Sequence, residues 1–171
     1  YFKTPCDIDP LTPQEWKEFG SYPEELKYLV TDEDRMSWMA RLIGGIAETG
    51  NTLVLVDRIK SGEIIAENIP DVTFVKGAMK VTDRKEAYDE INEATNSITV
   101  ATYGVAAVGI NIPRIFNLIL LEPGKSFVRV IQSIGRGVRK AEDKDFVQIW
   151  DVTSTAKFSK KHLTERKKFY K

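Results

Sequence analysis

The sequence predicts an α/β domain of three layers, a mostly parallel sheet with helices on both faces, and three observations lead there. A short unbroken aliphatic and β-branched run, Thr52-Leu53-Val54-Leu55-Val56, has the pattern of a strand buried on both sides, and further runs such as Asn117 to Leu121 read as strands. Segments with apolar residues at helical spacing lie between such runs, so the strands are joined by crossovers and run parallel. The length of 171 residues, with 42% hydrophobic and 29% charged residues, suits one ordinary globular domain with a real core.

The elements follow in chain order. Thr12-Pro13-Gln14-Glu15 and Thr31-Asp32-Glu33-Asp34 carry capping signatures, and each is expected to start a helix. Met36, Met39, Ala40, Ile43 and Ile46 recur at helical spacing until Gly50-Asn51 ends the run. Strand 52–56 is followed by a helix near 59–68, strand 72–75, a helix over 83–94 and strand 98–101. Strand 117–121, a helix over 126–135 and strand 146–152 complete the alternation, and a basic helix runs from Lys157 toward Lys171.

Charge is balanced overall but not along the chain. Residues 1–35 hold nine acids against four bases, whereas from 155 onward seven bases face one acid, Glu165. The basic tail suits either a phosphate backbone or a solvated helix face. Residues 1–30 read as an acidic linker or a remnant of a preceding domain, 31–155 as the domain proper, and 156–171 as a truncated basic tail. No apolar stretch has the length of a membrane span, no leader opens the chain, and Cys6 is its one cysteine, which points to a cytoplasmic, reducing setting.

In an open parallel sheet, ligands bind beyond the carboxyl ends of the strands, and two loops there carry unusual residues. Val100 to Pro113 offers a hydroxyl at a strand end, Thr102, and then small residues and Gly109-Ile110-Asn111. Alone, this is compatible with a phosphate or ribose cradle, but it suits a tight strand-to-helix turn with a small-residue packing face better. Placed on a helix, Phe127, Val130, Ile131, Ile134 and Val138 of the second loop form an apolar stripe with Arg129, Gln132, Arg136 and Arg139 on the other side. Gly135 and Gly137 are expected to end the helix near 135 and leave Arg139 on the following loop. Such arginines suit a polyphosphate, although a solvated basic face has the same pattern.

Together the two loops resemble superfamily 2 helicases. Val100 to Pro113 is similar to their motif V, and Gln132 to Arg139 fits the Q-x-x-G-R-x-x-R form of motif VI. Thr52 to Val56 with Asp57-Arg58 resembles motif IV, and Phe74-Val75-Lys76-Gly77 resembles the glycine-ended strand after it. The resemblance spans about residues 31–155 and implies the second RecA-like domain of an ATP-dependent helicase. It implies arginine fingers at Arg136 and Arg139 with Gln132 beside them, and nucleotide contacts from Gly109 and Asn111. Thr102, Gly77 and Arg58 would touch the nucleic-acid backbone. ATP with Mg2+ would be held mainly by the N-terminal RecA-like domain of the same polypeptide.

The six residues between Thr102 and Gly109, Asn111 in place of an aspartate, and Gln132 opening motif VI depart from the DEAD-box pattern. They favour the DNA-acting branch of UvsW-like and XPB-like motors, in replication, recombination or repair, with an RNA helicase or a stand-alone nucleic-acid-binding module as alternatives.

Walker A, G-x-x-x-x-G-K-[ST], is absent from this sequence, and so is an acidic Walker B box. Gly124-Lys125-Ser126 mimics the end of such a loop, but Ile119 stands at the earlier glycine position, and a strand-to-helix turn capped by Ser126 is expected. The isolated chain is therefore expected to be inactive. His162, in the basic tail, reads as a surface residue, and Trp38 and Trp150 read as core.

Overall fold

A computed structural model of the chain describes residues 2–3, 6–9, 20–75, 95–107, 115–121, 147–154 and 157–167, together with 83, 85, 86, 89, 90 and 93. The strands are β1 (Phe2–Lys3), β2 (Cys6–Asp9), β3 (Thr52–Val56), β4 (Val72–Val75), β5 (Ile98–Thr102), β6 (Asn117–Leu121) and β7 (Val147–Ser154). The helices are α1 (Tyr22–Thr31), α2 (Glu33–Ala47), α3 (Ile59–Asn68), a short α4 (Tyr103–Ala107) and α5 (Lys157–Lys167).

Among the described residues, seven strands form one sheet in the order β1-β7-β6-β3-β5-β4, with β2 also paired to β7. All the pairings are parallel. Parallel strands cannot be joined by tight hairpins, and α3 duly fills the passage from β3 to β4. The chain then returns to place β5 between β4 and β3, and crosses to the other side of β3 for β6.

Both faces of the sheet are covered, as the unbroken apolar runs require. Val54, Val56, Val100, Ile119, Leu121 and Val152 pack on one face against Met36, Met39, Ile43 and Ile46 of α2 and Ile65 of α3. Their neighbours of opposite parity, Leu53, Leu55, Ala101, Leu118, Leu120 and Ile149, are buried as well. Each large aliphatic side chain removed from water contributes roughly 1.5–3 kcal/mol, so the core rests on β3 and β6, whose every residue is buried. The architecture is the expected RecA-like three-layer sandwich.

Several elements differ from expectation. Asp32, not Thr31, caps α2, its Oδ2 accepting from the Arg35 amide at 3.0 Å. Thr31 instead ends α1, its hydroxyl donating to the Lys27 carbonyl. The first 30 residues, read from sequence as an acidic linker or remnant, supply β1, β2 and most of α1. β5 runs one residue further, to Thr102, and β7 is shifted to 147–154. Asp83, Lys85, Glu86, Asp89, Glu90 and Glu93 are helical, within the helix expected over 83–94. The helix at 126–135 and any helix begun by Thr12 lie outside the described residues.

His162 is not a surface residue. It is 8% exposed, and its ring meets Tyr22 edge-on at 4.5 Å. A basic helix looks solvated in sequence, but α5 packs on β7 and against α1, which covers this position. Trp38 and Trp150 are partly buried against the core, as expected.

Candidate functional site

Because all the strands are parallel, the ends of β3, β4, β5 and β6 lie along one edge of the sheet. Register fixes who meets there: Val56 pairs with Thr102, Val75 with Ala101, and Leu55 with Leu120. The segments after Val56, Val75, Thr102 and Leu121 therefore emerge side by side. The β3–β5 ladder continues to Val56, whereas the β3–β6 ladder stops at Leu55. The strand order also reverses around β3, so this edge is a topological switch point, where open sheets of this type bind ligands.

Thr102 and Arg58 are the two expected site residues that the structure describes, and it brings both to this edge. Thr102 is half-buried, and its Oγ1 accepts the Val105 amide at 3.3 Å, which starts α4. The expected strand-to-helix turn is therefore present, and because Thr102 Oγ1 acts there as an acceptor, its O–H is left to donate to another group. Gly104 follows, exposed, and a Cβ there would meet Thr102 Oγ1 at an ordinary 3.8 Å, so local packing does not demand glycine.

Arg58 occupies the N-cap of α3 in extended backbone without capping it through its side chain. Its Nε lies 3.7 Å from Asp57 Oδ2, with side chains 40% and 45% exposed. An exposed pair of this kind is worth at most about 1 kcal/mol, so Arg58 can exchange Asp57 for a phosphate at little cost. Lys60, exposed on the next turn, adds positive charge. Among the described residues between β4 and β5, Asp83, Glu86, Asp89, Glu90 and Glu93 are exposed and acidic, with Lys85 exposed and basic.

Tyr103, which the sequence reading passed over, spans the edge. Its hydroxyl donates to the Leu121 carbonyl at 3.1 Å, linking the ends of β5 and β6 across β3. An aromatic residue with a polar tip directly after the strand-end threonine was the available signal. Gly77, Gly109, Asn111, Gln132, Arg136 and Arg139 lie outside the described residues. Among the described residues, no group of three His, Cys, Asp or Glu side chains could hold a metal ion, and no helix is long and apolar enough to cross a membrane.

The opposite end of the sheet is structural. Asn51 Oδ1 accepts from the Ser97 amide and hydroxyl, both at 2.9 Å, and Asn117 Nδ2 donates to the Ile46 carbonyl at 3.2 Å and Thr49 Oγ1 at 2.9 Å. These buried amides lock the starts of β3, β5 and β6 together and satisfy groups that would otherwise cost about 1–3 kcal/mol each.

Comparison with known proteins agrees with this layout. Residues 34–141 match the helicase conserved C-terminal domain family. The chain is 28% identical over 154 residues to the ATP-dependent DNA helicase uvsW of Enterobacteria phage T4, an alignment covering 87% of this chain and 31% of that protein. The chain thus spans about a third of that relative. The crystal structure of T4 UvsW superimposes with a TM-score of 0.83 at 22% identity, over 99% of this chain and 39% of that one. The C-terminal part of the Fun30 ATPase domain superimposes with a TM-score of 0.65 at 16% identity, over 84% of this chain and 50% of that one. Both show the same fold.

Proposed function

Since the chain belongs to the helicase conserved C-terminal domain family, we propose that it is the second RecA-like half of an ATP-driven DNA helicase or translocase serving replication, recombination or repair. The observation that supports the reading is the register of Val56 with Thr102, which brings the strand-end threonine to the same carboxyl edge at which the chain leaves β3 through Asp57 and Arg58. On this reading residues 31–155 carry the motor motifs, while β1, β2 and α1 before them and the basic helix α5 after them complete the packing of the same domain.

Thr102 donates its hydroxyl to a phosphate oxygen while keeping the Val105 amide as its own donor. Arg58 and the Gly77 amide hold the same strand, and none of these contacts reads base identity. Arg136 and Arg139, with Gln132 beside them, face the γ-phosphate of an ATP held with Mg2+ mainly by the N-terminal RecA-like domain. Gly109 and Asn111 approach the nucleotide from this side of the cleft. Permanently charged guanidinium groups offset the negative charge that develops on the phosphoryl oxygens, an effect worth roughly 10³–10⁵ in turnover where such residues have been removed. Closing and reopening of the cleft alternates the grip of the two halves and moves the strand.

The likeness to a DNA helicase, together with the departures at Asn111 and Gln132 from the DEAD-box pattern, supports DNA over RNA. The test is ATP turnover by the isolated chain and by the complete polypeptide, each with single-stranded DNA, duplex DNA or RNA. The reading expects no turnover from the isolated chain and DNA-stimulated turnover from the complete protein. Stimulation by RNA alone would reassign the substrate, and binding without turnover by the complete protein would make this a stand-alone binding module.

A further inference from the structure

The Tyr103 hydroxyl, bonded to the Leu121 carbonyl, makes a side-chain link between the ends of β5 and β6 at the site edge. Two strands that flank a common neighbour are about 9–10 Å apart, a span that a tyrosine bridges and a smaller residue does not. The bond lies where the β3–β6 ladder has already stopped at Leu55, and it gives the carbonyl of buried Leu121 a donor beyond that point. Tyr103 also sits directly after Thr102, within the turn that the Thr102–Val105 bond holds closed. The Thr102 turn and the exit of β6 are thereby tied into one unit over the end of β3.

We propose that Tyr103 is a positioning residue that couples nucleic-acid contact at Thr102 to the chain leaving β6. This inference rests on the function proposed above, in which that departing chain leads to Arg136 and Arg139. On this reading Tyr103 acts through Thr102 and Leu121 and not by contact with either ligand. A strand pressing on the Thr102 hydroxyl shifts the turn, and the tyrosine passes the shift to the Leu121 carbonyl. Coupling of this kind has two discrete arrangements of a packed element as its physical basis, and removal of one link changes it by a modest factor.

The experiment uses the complete polypeptide with Tyr103→Phe, which removes the hydroxyl and keeps the ring, beside Tyr103→Ala and the unaltered protein. Three quantities are measured: DNA affinity without nucleotide, basal ATP turnover, and turnover at saturating DNA. For Tyr103→Phe the expected result is a stimulation factor lower by roughly tenfold, with DNA affinity and basal turnover within about twofold of the unaltered protein. Tyr103→Ala should match Tyr103→Phe in stimulation.

A merely structural role would lower all three quantities together and would overturn the inference. A Tyr103→Phe protein stimulated like the unaltered one, with only Tyr103→Ala impaired, would also overturn it, since the ring and not the hydroxyl would matter. If the unaltered protein shows no DNA-stimulated turnover, the underlying functional reading falls, and the coupling with it.

Discussion

Glu25 and Phe158 are 133 residues apart in sequence, and the Glu25 carboxylate accepts the Phe158 amide at 2.8 Å. A buried side chain of α1 thus caps the first turn of α5, and Tyr22 reinforces the contact by meeting both Phe158 and His162 edge-on. Helix starts favour a carboxylate, because unpaired amides and the helix dipole both present positive charge there. Glu25→Ala should cost the chain about 1–3 kcal/mol in urea unfolding, and Glu25→Gln less. Glu67→Ala, an exposed position of α3, should fall within about 0.5 kcal/mol of the unaltered chain. Equal effects at the two positions would rule out the cap.

Two helical glycines should respond with opposite sign. A Cβ added at Gly62 in α3 would overlap the Phe74 ring, so Gly62→Ala must displace the ring or the helix and should cost about 1–3 kcal/mol. At Gly44 in α2 a Cβ would meet nothing within 4 Å among the described residues, and Gly44→Ala should stabilise by about 0.5–1 kcal/mol. Thermal melting of the two variants checks both signs at once.

The elements legible in sequence were those whose burial is uniform. β3, α3, β4 and β6 have the predicted boundaries because aliphatic runs and helical periodicity directly record contact with the core. β2 was not legible, since Cys6-Asp7-Ile8-Asp9 is held by backbone pairing to β7 and carries two acids. α1 was obscured by its own acids, one of which, Glu25, is buried for a partner more than a hundred residues away. His162 looks exposed in sequence for the same reason: its cover is Tyr22, on α1, whose acids hide that helix. At the site, the types and order of Thr102 and Arg58 were readable, but the Asp57 partner and the Tyr103 bridge depend on the register of three strands.

The Asp57–Arg58 pair gives the proposed backbone contact a salt signature. Replacing Arg58 with alanine should weaken DNA binding by the complete polypeptide and reduce the slope of log affinity against log salt by roughly 0.7–0.9, the value for one lost phosphate contact. Asp57→Asn should strengthen binding by roughly threefold at low salt, because the competing carboxylate 3.7 Å from Arg58 Nε is gone. Titrations across salt concentrations check both, and an unchanged slope for Arg58→Ala would remove Arg58 from the interface.

The central claim is that this domain supplies the charge that completes ATP hydrolysis in a two-domain motor, and DNA-stimulated ATP turnover by the complete polypeptide carrying Arg136→Ala or Arg139→Ala tests it most directly. The account predicts that each variant melts like the unaltered protein and still binds DNA, while turnover falls by roughly a thousandfold or more. Near-normal turnover in both variants would contradict it.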